Sequence, residues 1–176
     1  LFPSELIHIG GDECPKVRWE KCPRCQARIR QLGLRDKDGY TAEHYLQGYV
    51  TDRIGKYLAE RGRRIIGWDE ILEGQAPSDA IVMSWRGSAG GIKAAKLGHD
   101  VIMTPNSHFY FDYYQSPDAD TEPFGIGGCV TIDKVYSFDP MADLTPGQQA
   151  HILGVQANLW TEYIASDDHL EYMLLP

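Results

Sequence analysis

The sequence predicts an α/β fold built on a parallel sheet. Three features of its 176 residues point there: five short apolar runs recur along the chain, helix-period segments separate most of them, and each run ends in acidic or aromatic residues. Near-continuous apolar runs suit strands covered on both faces, and alternation of strand with helix is the pattern of a parallel sheet.

The runs are LIHIGGDE (6–13), RRIIGWDE (63–70), AIVMSWR (80–86), DVIMTPNSHFYFD (100–112) and ILGVQANLWTE (152–162). Helices are predicted between them. Pro23 opens one that ends at Gly33. Thr41 caps a second, with Tyr45, Leu46, Tyr49, Val50, Ile54, Tyr57 and Leu58 on its apolar face and Gly62 at its stop. Ser88 caps a third, which Gly98 ends. Thr145 and Pro146 start a short one, and a last segment (166–175) opens with acids that suit the positive end of the helix dipole. Only ILEGQAPSDA joins the second run to the third, which leaves little room for a crossover helix. Segment 113–151, rich in Gly, Pro and Asp, reads as an excursion or lid over a site. No linker, repeat or low-complexity tract splits residues 1–176, so one domain is expected. An opening on Leu1 rather than Met reads as a piece cut from a longer chain.

Composition excludes some functions. The net charge is −8 and no basic run occurs, which disfavours a nucleic-acid partner. No apolar stretch approaches the roughly 18 residues of a membrane span. The four cysteines are Cys14, Cys22, Cys25 and Cys129, and CPRC at 22–25 has the spacing of a zinc or redox half-site. A helix beginning at Pro23 accounts for that spacing equally, and no thioredoxin-like pattern surrounds it. No metal and no cofactor are expected. Ten tyrosines and four tryptophans supply the flat faces that sugar sites use.

In parallel α/β folds, and above all in a (β/α)8 barrel, the C-terminal ends of the strands form the active-site face. The run ends bring Asp12 and Glu13, then Trp68, Asp69 and Glu70, then Trp85 and Arg86, then Tyr110 and Asp112, then Trp160 and Glu162. Two adjacent carboxylates repel and resist desolvation, so their pairing calls for a use. Carboxylates among tryptophans, without a metal-ligand cluster, suit glycoside cleavage, in which one acid protonates the leaving oxygen. Structural readings stand beside these. Asp12 and Glu13 could cap a helix, Trp68 and Trp85 could be core, and Asp112 and Glu162 could be loop acids. Tyr110 has aromatic neighbours in HFYFDYY that could take its place. Glu70 is set aside as a cap or a support behind the site. His8 is expected to face inward, His108 to lie near the site or in a plain loop, and Trp19 to pack a helix on the barrel.

The ordered set HIGGDE, GWDE, SWR, YFD and WTE resembles the family 20 glycoside hydrolases, the β-N-acetylhexosaminidases, over essentially the whole chain. The resemblance implies a partial (β/α)8 TIM barrel holding strands four to eight. It implies a retaining exo-enzyme in which the substrate's own 2-acetamido oxygen is the nucleophile. Glu13 would be the general acid and later the base, Asp12 would hold the acetamido N–H, and Tyr110 would donate to the acetamido oxygen. Trp68, Trp85 and Trp160 would wall the pocket, and Asp112 and Glu162 would accept from sugar hydroxyls. The first three strands, and the family's first-strand arginine, have no counterpart here. The expected partner is an N-acetylhexosamine-containing glycan or oligosaccharide. The exposed barrel edges lead to an expectation of self-association or a covering partner, and of a fragment inactive by itself. A glycan substrate fits an extracytoplasmic parent. Two other readings are an ordinary retaining glycosidase, with Glu70 or Glu162 as nucleophile, and a non-catalytic carbohydrate-binding protein on the same scaffold.

Overall fold

The structure is a computed structural model that describes residues 3–175; Leu1 and Pro176, where the sequence reading placed the ends of the fragment, lie outside the described residues. Five strands, β1 (Leu6–His8), β2 (Arg64–Trp68), β3 (Ile81–Ser84), β4 (Val101–Met103) and β5 (Ile152–Val155), pair in parallel in the order β1-β2-β3-β4-β5. A doubly wound sheet reverses its strand order at a switch point. This one runs in chain order from edge to edge, as an arc of a (β/α)8 barrel does.

Side chains alternate between the two faces of the arc. Ile65, Val82, Val101, Met103 and Ile152 point toward the helices and pack with Ile71, Leu72, Ala94, Ala95 and Leu144. Ile66, Trp68, Ile81 and Met83 point the other way, with Leu6, Trp85 and Ile102 against them. The first cluster is the core; the second is the concave face that carries the site.

The helices are α1 (Val17–Lys21), α2 (Pro23–Leu32), α3 (Ala42–Ala59), α4 (Ala89–Lys96), α5 (Asn106–Phe109), α6 (Ile132–Tyr136), α7 (Pro146–Gln149) and α8 (Asp167–Leu174). Pro23 stands in the first turn of α2, and Gly33 closes it in the left-handed conformation. Thr41 caps α3, its N–H donating to His44 Nδ1 at 3.3 Å. Thr145 does the same on α7, donating to Gln148 Oε1 at 3.0 Å. The link between β2 and β3 holds one 3-10 turn, Asp69–Glu73, in place of a crossover helix.

Four expectations are corrected. The strands are shorter than the apolar runs. Run 100–112 stops being a strand at Met103, because Pro105 has no N–H to donate and the chain turns into α5. Run 152–162 leaves the sheet at Val155. Ser88 precedes α4 without a side-chain cap; the hydroxyl of Ser84 on β3 accepts from Gly91 N–H at 2.8 Å instead. The packed face of α3 is Leu46, Gly48, Thr51 and Gly55, while Val50, Ile54 and Tyr57 are exposed.

The turn after β1 gives the acid pair its direction. Gly10, Gly11 and Glu13 all have positive φ, at 71°, 102° and 43°. For Glu13 this is a conformation that side chains of its kind rarely adopt. A Cβ on Gly11 would lie 2.6 Å from Ile71 Cγ2. Gly11→Ala is therefore expected to lower the free energy of unfolding by about 2 kcal/mol through strain and overpacking. A urea titration followed by circular dichroism measures it, and an unchanged midpoint would show that Ile71 yields.

Candidate active site

The concave face opens at the C-terminal ends of the strands into a cavity of about 280 Å³, toward the small end for a small-molecule site. Asp12, Glu13, Trp68, Trp85, Tyr110, Asp112, Trp160 and Glu162 all line it, together with Tyr113 and Ile126.

Different local devices bring these side chains together. Trp68 is the last residue of β2, and Trp85 directly follows β3. Tyr110 and Asp112 are reached beyond α5 rather than at the end of β4. The backbone holds them there: Phe111 N–H donates to Asn158 O, and Asn158 N–H to Phe109 O, each at 2.8 Å. That bridge ties the segment after α5 to the segment after β5, so Trp160 and Glu162 arrive beside Tyr110. Asp12 and Glu13 come from the glycine turn after β1.

The rings line the cavity in two groups. Trp68 lies 6.2 Å from Trp160 and meets His8 edge-on at 5.1 Å. Trp85 stacks on Tyr110 at 6.3 Å with 24° between planes, and Tyr110 meets Tyr113 at 5.6 Å. His8 faces the first group from the exposed first strand; its Nδ1 accepts from Gly10 N–H at 3.1 Å. Burial lowers its pKa, and Asp12 pulls it back up in part. His108 packs tilted against Phe138 at 5.1 Å, away from the cavity lining.

Four carboxylates line the cavity and no basic side chain does. Such a lining repels anionic ligands and stabilises positive charge that develops inside it. Asp112 is only 5 % exposed, and its Oδ1 has no hydrogen-bond partner. Burial pushes its carboxyl above the usual range, the backbone amides of Asp112 and Trp160 oppose this, and Glu162 adds to it. Burial also pushes Tyr110 up to about 12, so its hydroxyl remains a donor at any working pH.

The sequence reading left out three residues with visible roles. Tyr113 and Ile126 line the cavity from the excursion 113–151, and Glu70 lies behind Trp85, its oxygens accepting from the indole Nε1–H at 3.0 and 3.2 Å. Among the described residues, no three His, Cys, Asp or Glu side chains converge as a metal site. The four cysteines are free thiols.

The profile described as glycosyl hydrolase family 20, catalytic domain, matches residues 1–176. The chain belongs to this family. A β-hexosaminidase of Porphyromonas gingivalis is 48% identical over 178 residues, covering 100% of this chain and 22% of its own length. A β-hexosaminidase of Vibrio furnissii is 32% identical, again over 100% of this chain and over 28% of itself. The crystal structure of a family 20 exo-β-N-acetylglucosaminidase from Vibrio harveyi, in complex with N-acetylglucosamine, superimposes with a TM-score of 0.83 at 30% identity. It covers 99% of this chain and 27% of that one. The chain thus spans between about a fifth and a third of the length of these relatives.

The burial of Asp112 in this cavity opposes folding with its carboxylate ionised. The folded-state pKa is raised above the usual 3.8, so folding disfavours the ionised form. Asp112→Asn is expected to raise the melting temperature near pH 7 by a few degrees. The gain should shrink as pH falls through the raised value toward 3.8, where the native carboxyl takes up its proton. Melting curves between pH 7 and pH 4, or roughly that range, check it; a gain that grows on acidification would contradict the sign.

Proposed function

We propose that the chain is part of the catalytic barrel of a retaining exo-β-N-acetylhexosaminidase. The enzyme removes terminal, non-reducing N-acetylglucosamine or N-acetylgalactosamine by substrate-assisted catalysis. Glu13 gives its proton to the glycosidic oxygen as the bond to the anomeric carbon breaks. The acetamido carbonyl oxygen attacks that carbon and closes a cyclic oxazolinium. Asp12 accepts the acetamido N–H and steadies the positive charge. Tyr110 aligns the attacking oxygen by hydrogen bonding. Water then attacks the anomeric carbon, passing a proton to the Glu13 carboxylate, and the ring opens with configuration retained. The internal nucleophile is held close to the reacting carbon, which is worth a large effective molarity.

One observation carries this reading: the adjacent acids, the tryptophan wall and the unpartnered Asp112 Oδ1 share one cavity that no cation lines. A neutral polyhydroxylated ligand would satisfy Asp112 and turn apolar faces to Trp68, Trp85 and Trp160. The naming of the relatives as β-hexosaminidases, and the N-acetylglucosamine held by the Vibrio harveyi enzyme, support the same substrate class. A parallel arc with two open edges further supports a chain that works inside a longer barrel or a self-associated one. On this reading residues 1–176 alone turn over no substrate.

The full-length protein is expected to hydrolyse a chromogenic N-acetylglucosaminide, and Glu13→Gln to lower kcat by roughly 10²–10⁴-fold. A thiazoline mimic of the bicyclic intermediate should bind tightly. Covalent labelling by a fluorinated glycoside would instead make a carboxylate the nucleophile. Glu162 lines the cavity and is available for that role, whereas Glu70 is turned toward Trp85. Absence of turnover in the full-length protein would leave a binding protein.

A further inference from the structure

Three consecutive residues, Trp68, Asp69 and Glu70, meet the next strand end in three different ways. Trp68 lines the cavity. Asp69 takes hold of the backbone after β3: its Oδ1 accepts from Trp85 N–H at 3.1 Å, and its Oδ2 accepts from Arg86 Nε at 2.8 Å. Glu70 takes hold of the ring, both of its oxygens facing Trp85 Nε1–H at 3.0 and 3.2 Å. Glu70 is 8 % exposed; it does not line the cavity of Asp12 and Asp112 but a neighbouring cleft of about 610 Å³, which it shares with Glu13, Trp85 and Arg86. Arg86 has short partners of its own in Asp69, at 2.8 Å, and Glu73, at 2.7 Å, and stands 3.7 Å from Glu70. The Glu70 carboxylate is therefore not needed to hold the arginine. Its closest side-chain partner among the described residues is the indole.

We propose that Glu70 is a positioning residue that fixes the rotation of the Trp85 indole through its N–H, and through that ring the alignment of Tyr110. The ring it fixes stacks on Tyr110 at 6.3 Å with 24° between planes. An indole without a partner for its N–H is free to turn over within its slot; a buried carboxylate in charge-assisted contact selects one orientation. A shared stack passes that orientation to the phenol. The burial that pushes Glu70 above the ordinary carboxylate range is consistent with a group held inside for this contact, since Trp85 is the leading influence that opposes the shift. The hydrogen bond itself is independent of the reaction. Its consequence for turnover rests on the substrate-assisted reading given above.

The test uses the full-length protein with Glu70→Gln, Glu70→Ala, Trp85→Phe and the Glu70→Ala/Trp85→Phe pair. Gln keeps an acceptor oxygen for the indole, and Ala removes it. Glu70→Ala is expected to lower kcat/KM on the chromogenic N-acetylglucosaminide by roughly 10²-fold, and Glu70→Gln by less than about tenfold. The double variant should lose no more than Trp85→Phe alone, because the carboxylate acts through a ring nitrogen that phenylalanine lacks. Ultraviolet resonance Raman spectra should show the indole hydrogen-bond band of one tryptophan shifting in Glu70→Ala and holding in Glu70→Gln. Equal losses in the Gln and Ala variants, multiplying losses in the pair, or an indole band indifferent to Glu70→Ala would each overturn the proposal. Should Glu70→Ala fail to fold, Glu70→Gln and Trp85→Phe still read the band and the rate. Should the protein hydrolyse no N-acetylglucosaminide, the Raman comparison still decides whether Glu70 holds the ring.

Discussion

Two contacts tie the turn that carries the acid pair to the strand that carries Trp68: the Trp68 N–H, which donates to Gly10 O at 3.0 Å, and the side chain of Ile71. Ile71 is buried, and it touches two backbones where no side chain fits: a Cβ on Gly11 would stand 2.6 Å from its Cγ2, and one on Gly67 would stand 2.9 Å away. Gly11 belongs to the turn that aims Asp12 and Glu13. Gly67 belongs to β2, next to Trp68. The backbone bond and the isoleucine from the short turn after β2 together set how far the carboxylates stand from the first wall of the pocket. Interiors pack densely enough to transmit such a constraint without slack.

The brevity of the link from β2 to β3 has a second effect. A full crossover helix would have carried Asp69, Glu70 and Glu73 away over the surface. The 3-10 turn keeps them beneath the cavity instead, within reach of Trp85 and Arg86. Burial alone would lower the pKa of Arg86, but the Glu73 and Asp69 carboxylates raise it well above its usual value. The arginine is neutralised within this network, outside the cavity lining, and the pocket keeps its all-carboxylate character. On the proposed reading, a positive charge growing in a bound sugar would meet that field with little reorganisation.

Much of this was legible in the sequence, for definite physical reasons. Continuous apolar runs such as AIVMS mark strands buried on both sides, and Pro23, Gly33, Thr41 and Thr145 stand where the helix ends require them. The runs overstated the strands because aromatic residues that follow them serve the pocket, as Tyr110 and Trp160 do, or local packing, as Phe109 does against Phe138; all three read as strand and lie beyond it. On α3 the large residues misled. The helix approaches its neighbours through small ones, with a Cβ on Gly48 only 2.6 Å from Gln75 N and one on Gly55 only 2.9 Å from Pro77 Cγ. The exposed Tyr57 is covered by Arg61, whose guanidinium carbon lies 3.6 Å above the ring. Glu70 gave no signal of its partner, because a hydrogen bond across fifteen residues leaves no periodicity. Tyr113 and Ile126 belong to an irregular excursion, where no repeat marks which side chains turn inward.

The site accumulates what a fold built only for stability would avoid. Glu13 has a backbone conformation unfavourable for its type, Asp112 is buried with an unpartnered oxygen, and four carboxylates share one small cavity. None of these lies on a strand. Each lies on a turn or a segment stitched by backbone hydrogen bonds, as Tyr110 and Asp112 are stitched to Asn158. The strands hold a conventional core of Ile65, Val82, Val101 and Ile152 against the helices, and that core offsets the unfavourable residues at the mouth. Strain and unsatisfied groups also occur elsewhere, at Asp38 and Asp143 and at Asn158 and His169, but at the cavity they coincide with four carboxylates: on the proposed reading a bound hydroxyl would supply the donor that Asp112 Oδ1 lacks, and a developing positive charge the counter-ion that the carboxylates lack. The interactions that favour binding are thus the same ones that weaken the empty fold.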